Sequence, residues 1–171
     1  MFLTHVQQAV TRYLAAAPFF AGSDGVLPIT VLAGNDKGLA GKMNAAMGRM
    51  GVCVIVVPLG GTFGPKNTSY PCFSPGRFTC RVRENQTVNR AASGTGQPAD
   101  YIAEQVASAL HNYQPATRGG QALGGGGIVL EDLAVGEDET GITAWDVIWT
   151  YDGGVSHEPV RLDFTGDDAL P

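Results

Sequence analysis

The sequence predicts an α+β domain: a mixed, mostly antiparallel sheet with two to three helices packed on one face and a long loop excursion between two strands. Three observations predict it. Val52 to Val57 is an unbroken, largely β-branched apolar run, short enough for a strand and too short for a typical buried helix. Residues 77–83 and 142–151 alternate with period two, as half-buried strands do. Residues 2–17 and 98–113 carry apolar side chains three and four apart, as amphipathic helices do. A length of 171 residues fits one domain, 1–171, with room for an elaborated loop.

Taken in order, the first helix places Phe2, Leu3, Val6, Val10, Tyr13, Leu14 and Ala17 on one side and stops at Pro18. Ile29 to Ala33 reads as a short strand, followed by the turn Gly34-Asn35-Asp36. Asp36 to Arg49 reads as a short helix, weakened by Gly38, Gly41 and Gly48. The strand Val52–Val57 is closed by Pro58. Residues 60–76 hold Pro65, Pro71 and Pro75 among several glycines and read as an extended loop whose aromatics, Phe63, Tyr70 and Phe73, suit a contact role.

From Arg77 the alternation sends Phe78, Cys80 and Val82 inward and Arg77, Thr79, Arg81 and Arg83 outward, so one face of this strand is cationic. The strand is expected to run out through Asn85–Arg90 into a linker of small residues, 91–97. Pro98 opens a helix with Ile102, Val106, Ala109, Leu110 and Tyr113 on one face. After a glycine-rich loop, Ile128–Val135 and Ile142–Tyr151 read as a hairpin across an acidic turn that carries Glu137, Asp138 and Glu139. Trp145, Val147, Trp149 and Tyr151 form its core face, or else an interface, since Trp and Tyr dominate hot spots. Residues 159–164 read as an edge strand and 165–171 as a flexible acidic tail.

Composition narrows the function. A net charge of −5 gives the chain no footprint for tracking a phosphate backbone, so nucleic acid is not the expected partner. Only 16% of residues are charged, which leaves room for buried interfaces between subunits. The basic residues Arg77, Arg81, Arg83 and Arg90 sit mid-chain, whereas Glu131, Asp132, Glu137, Asp138, Glu139, Asp163, Asp167 and Asp168 lie in the last quarter. That polarity suits head-to-tail or ring contacts in which the arginine strand of one copy meets the acidic hairpin of another; the alternative is two ordinary solvated faces. Neither a signal peptide nor a membrane-spanning run is legible, so cytoplasm, or particles assembled there, is the expected location.

Catalytic signatures are weak. Gly34 to Met43 looks like a phosphate loop, but Asp36 stands where the first glycine belongs and Met43 where the magnesium-binding Ser or Thr belongs. His5, His111 and His157 are scattered, and Cys53, Cys72 and Cys80 fit no zinc or redox spacing. Cys53 and Cys80 read as core residues and Cys72 as the one near solvent. No enzyme activity, metal or cofactor is expected. A small ligand-binding domain using the Gly34–Lys42 turn is the competing reading from another class, and a monomeric adaptor a third.

The segment Val82-Arg83-Glu84-Asn85-Gln86-Thr87-Val88-Asn89-Arg90, then Gly94-Thr95-Gly96-Gln97-Pro98 and the helix from Asp100 to Leu110-His111, resembles the tail-terminator family of long-tailed bacteriophages, among their minor tail and tail-completion proteins. By motif the resemblance covers residues 77–113, and by element order the rest. It implies a non-catalytic virion protein, made in the host cytoplasm, that forms a ring, usually hexameric, at the end of the tail tube. The ring stops tube growth and joins the tail to the head connector. Implied partners are further copies of the chain, the tail tube protein and connector or neck proteins, with DNA at most passing through the lumen and no membrane. A neck or head–tail joining adaptor is the alternative position. The candidate interface residues are Arg77, Arg81, Arg83, Phe63, Tyr70, Phe73, Glu137, Asp138 and Glu139.

Overall fold

A computed structural model of the chain describes residues 2–22, 27–63, 73–123, 126–136 and 141–152. The elements run α1 (Phe2–Ala16), α2 (Pro18–Ala21), β1 (Thr30–Ala33), α3 (Leu39–Arg49), β2 (Val52–Phe63), β3 (Phe73–Asn85), α4 (Gln86–Asn89), α5 (Ala99–Leu110), β4 (Val129–Gly136) and β5 (Ile142–Tyr151). Among the described residues five strands make one mixed sheet in the order β1-β2-β3-β5-β4. Only β1 and β2 are parallel; every other pair is antiparallel, so the fold is the expected α+β arrangement.

The alternation of each strand decides which face is dry. Val52, Val54 and Val56 of β2, Phe78, Cys80 and Val82 of β3, and Val147, Trp149 and Tyr151 of β5 point to one face. There they meet Val6, Val10 and Leu14 of α1 and Ile102, Val106 and Leu110 of α5, all buried. Each such side chain contributes roughly 1.5–3 kcal/mol by leaving water. Phe78 and Trp149, opposite one another in the β3–β5 register, stack with ring centroids 4.3 Å apart. The aromatic face of the last hairpin is therefore core.

The opposite face is covered only in part. Helix α3 lays Leu39, Met43, Ala46 and Met47 over Cys53, Ile55 and Val57, the alternate residues of β2. The expectation of helices on one face thus holds for α1 and α5 and not for α3. The connection β1–α3–β2 joins two parallel strands, which no short turn can do, and the crossing helix takes the side that α1 leaves open.

Two further expectations are corrected. The excursion at 60–76 is narrower: β2 continues past Pro58 to Phe63, and β3 begins at Phe73, with Gly60 opposite Arg77, Gly61 opposite Gly76 and Phe63 opposite Phe73. A register shift between Pro58 and Gly60 absorbs the proline, and Pro75 sits one residue beyond Gly76, the last residue of β3 paired to β5, so its missing N–H costs no bond to that strand. Residues 64–72, with Tyr70 and Cys72, lie outside the described residues. Second, Gln86–Asn89 is a helical turn rather than strand run-out, because the Asn85 side chain accepts a hydrogen bond from the Val88 N–H at 3.3 Å. The first helix does end ahead of Pro18, as expected, and the chain then re-enters helix there as the short α2, proline being well suited to a first turn. The 159–164 strand, the 165–171 tail and the acidic turn residues Glu137, Asp138 and Glu139 also lie outside the described residues.

Burial gives a chemical handle. The Cys80 thiol is pushed up to about 12, first by burial, with the Trp149 indole N–H donating to its sulfur at 3.4 Å as a partial offset. Burial also raises the Tyr113 and Tyr151 phenols. All three titrate higher in the folded chain than in the unfolded one, so the stability linked to them is complete below pH 9 and is lost as pH climbs toward 12. For Cys80 the loss is about 4 kcal/mol over that window. Urea midpoints measured from pH 7 to 11 are expected to be level and then to fall above pH 9. Cys80→Ala should flatten part of that fall, and an unchanged slope would contradict the assignment.

Candidate functional site

Two groups of polar side chains stand out, on opposite faces of β3. On the face that α3 leaves bare, Arg77, Thr79, Arg81 and Arg83 form the expected row. Every second residue of β3 faces this side, and neighbouring strands supply carboxylates across from it. Asp146 lies directly opposite Arg81 in the β5 register, and its two oxygens accept from Arg81 Nε at 2.9 Å and Nη2 at 2.7 Å. The Thr79 hydroxyl donates to the same carboxylate at 3.2 Å. Arg77 reaches past β5 to Glu131 on β4, with Nε 2.7 Å from the carboxylate. Arg83 lies against Sδ of Met43 from α3 at 2.7 Å.

The row is therefore a set of intrachain pairs, not a bare cationic strip. The Arg77–Glu131 pair is exposed on both sides and worth at most about 1 kcal/mol. The fork of Arg81 on Asp146 is less exposed, and its two parallel bonds fix the guanidinium flat on the sheet. The surface this face offers a neighbour holds two neutralised pairs, Arg77–Glu131 and Arg81–Asp146, among short polar side chains.

The other candidate residues are split between the two ends of the sheet. Phe63 and Phe73 are paired across the far end of the β2–β3 hairpin, beyond Gly76 and Tyr151 where β5 stops. The strand ends flanking the acidic turn, Gly136 and Ile142, are at the opposite end, beside Arg83 and Asn85. Tyr70, Glu137, Asp138 and Glu139 lie outside the described residues.

The second polar group is buried, on the helix-bearing face. Glu84 continues the inward alternation of Phe78, Cys80 and Val82 and is 2% exposed. One oxygen accepts from the Ala99 N–H, the first of α5, at 3.0 Å; the other accepts from Asn89 Nδ2 at 2.7 Å. A carboxylate at this end of a helix meets unsatisfied N–H groups and the positive end of the helix dipole. The Asn89 amide also donates to the Gln97 carbonyl at 2.7 Å, while its oxygen accepts from the Gly96 N–H at 3.2 Å and from the Thr95 hydroxyl. Asn89 is wholly buried, so these bonds are what make its burial tolerable.

Glu84 and Asn89 thus lock the end of β3, the turn α4 and the linker 94–98 to the start of α5. Sequence reasoning missed this brace, although the signal was there. An acid at the next inward position of an otherwise apolar alternation has to find donors. Nothing in the sequence marked Asp146 and Glu131 as the partners of the arginines, since that pairing depends on strand order.

Among the described residues, no group of three or more His, Cys, Asp or Glu side chains could hold a metal ion, and no helix is long and apolar enough to cross a membrane. The Gly34–Lys42 turn follows β1, and Lys42 pairs there with Asp36 at 3.4 Å. No protein-family model matches the chain, and no curated protein matches it significantly.

Proposed function

We propose that the chain is a structural virion protein of a long-tailed bacteriophage, a subunit of a six-membered ring that ends the tail tube and joins it to the head connector. The observation that carries the reading is the use the fold makes of residues 84–99. The Glu-Asn, Asn-Arg and Gly-Thr-Gly pattern behind the resemblance to tail terminators is spent on an internal brace, with Glu84, Asn89, Thr95 and Gly96 bonded to one another or to the start of α5. Such a motif specifies a scaffold. Two surfaces support an assembly role: the bare sheet face of paired charges, and the β2–β3 hairpin, which runs past the end of β5.

In this reading the hairpin reaches the tube or the adjoining subunit, and the sheet face packs against a neighbour by matching neutralised pairs rather than by exchanging whole charges. The test is to add the purified chain to growing, uncapped tail tubes and image them by negative stain. Six-fold rings at one end only, with growth arrested there, are the expected result. Tubes that stay bare at both ends and keep growing would overturn the proposal.

A further inference from the structure

Among the described residues the sheet has two edges with no further strand beside them, and they differ. Strand β1 spans Thr30–Ala33, four residues, with α1 packed on one side and α3 on the other. Strand β4 spans Val129–Gly136, eight residues, and among the described residues nothing pairs with its outer side. Long edge strands are normally blunted by lysine, proline, inward charges or a bulge, because unpaired N–H and C=O groups recruit other strands, and of these β4 has only a bulge, at Glu131. The sequence of β4, Val-Leu-Glu-Asp-Leu-Ala-Val-Gly, has no lysine and no proline. Its two acids are committed within the chain, Glu131 to Arg77 at 2.7 Å and Asp132 to the Leu133 N–H at 2.8 Å. Three of its apolar residues are exposed, Val129 at 62%, Leu133 at 38% and Val135 at 69%.

We infer that β4 is a self-association edge, where a second copy of this chain adds its own β4 antiparallel about a two-fold axis through Leu133. The bulge sets which residues share a face, and the register centred on Leu133 is the one that pairs β4 from Val129 to Gly136. The β4–β5 ladder skips Glu131, so Leu130, Leu133 and Val135 share the helix-bearing face with Trp149, Val147 and Trp145, while Val129, Asp132, Ala134 and Gly136 share the other. In a strand pair, opposed residues must lie on the same face. Placing Leu133 opposite Leu133 then sets Asp132 against Ala134, Val135 against Leu130 and Gly136 against Val129, with the two bulged Glu131 residues skipped symmetrically.

Every pair in that register stays on one face, and no acid opposes an acid. The stripes of Leu130, Leu133 and Val135 from both copies become continuous, covering the apolar side chains that a single copy leaves wet. A two-fold contact is closed, so it uses up the edge without polymerising. It is separate from the head-to-tail contacts of a ring, and it stands or falls without the virion reading.

The test is made on the whole chain in free solution. Sedimentation across a concentration series is expected to show a dimer, and Val135→Lys is expected to return it to monomer with an unchanged circular dichroism spectrum and melting point. In a Cys72→Ser background, where Cys53 and Cys80 are buried, Leu133→Cys should form a disulfide-linked dimer under mild oxidation. Residues directly opposed across a strand pair sit about 4.5–5.5 Å apart at Cα, within reach of a disulfide. Val129→Cys, at the far end of the register, should not cross-link. A monomer at every concentration, a dimer indifferent to Val135→Lys, or cross-linking at 129 instead of 133 would each overturn the inference.

Discussion

Gly94→Ala is expected to lower the melting temperature by roughly 6–12 °C, corresponding to about 3 kcal/mol. A Cβ at Gly94 would fall under 3.0 Å from the Asn89 carbonyl and from the Val88 oxygen, backbone atoms that cannot rotate aside. Gly51 presses on the same residue. It has φ 74, and its added Cβ would strike the Asn89 N and Cα. Asn89 is thus in close contact with both glycines, and a Cβ on either forces the α4 turn to shift. Gly41 and Gly48 in α3 form the control, because a Cβ at either meets nothing within 4 Å. Alanine there should stabilise by up to about 1 kcal/mol each, through helix propensity alone. Thermal melts of the four single variants would check the contrast; a harmless Gly94→Ala would mean that the linker does not pack on Asn89.

The second large effect is on the brace itself. Asn89→Ala leaves the Glu84 carboxylate buried with its Ala99 N–H contact and strands the Gln97 carbonyl, at an expected cost of about 3–5 kcal/mol. Glu84→Ala removes the charge but orphans the first N–H of α5 and one N–H of Asn89, at about 2–4 kcal/mol. Because the two residues share a hydrogen bond, the double variant should lose less than the two single losses combined. Urea denaturation of the four-member cycle measures this coupling. Losses that simply add would show that Glu84 and Asn89 act independently.

How much of this was legible in the sequence depends on whether the cause was local. Val52–Val57, the 77–83 alternation and the helix after Pro98 are each dictated by neighbouring residues, and each stands where its pattern put it. The extension of β2 to Phe63 was hidden because prolines and glycines read as breakers, and only the pairing partner shows that Pro58 falls at a register shift and Pro75 beyond the last β5 bond. Which face α3 takes, and which acids Arg77 and Arg81 find, are likewise settled by strand order. Of the candidate interface, the arginine row was readable as a row, whereas its pairing with Asp146 and Glu131 was not. Glu84 was readable in principle, since its place in the period-two pattern required burial.

That strand order also sets a sequence of events as the chain is made. Strand β3 finds β2 at once across a hairpin, but its other neighbour, β5, begins only at Ile142, after residues 86–141 have been synthesised. Until then β3 is an exposed edge of a growing polypeptide, the kind of surface on which nascent chains associate wrongly. Arg77, Arg81 and Arg83 stand along that temporary edge, and like charges opposed across a strand pair disfavour its pairing with the same strand of another copy. When β5 docks, Asp146 takes up Arg81 and the guard is retired into the sheet.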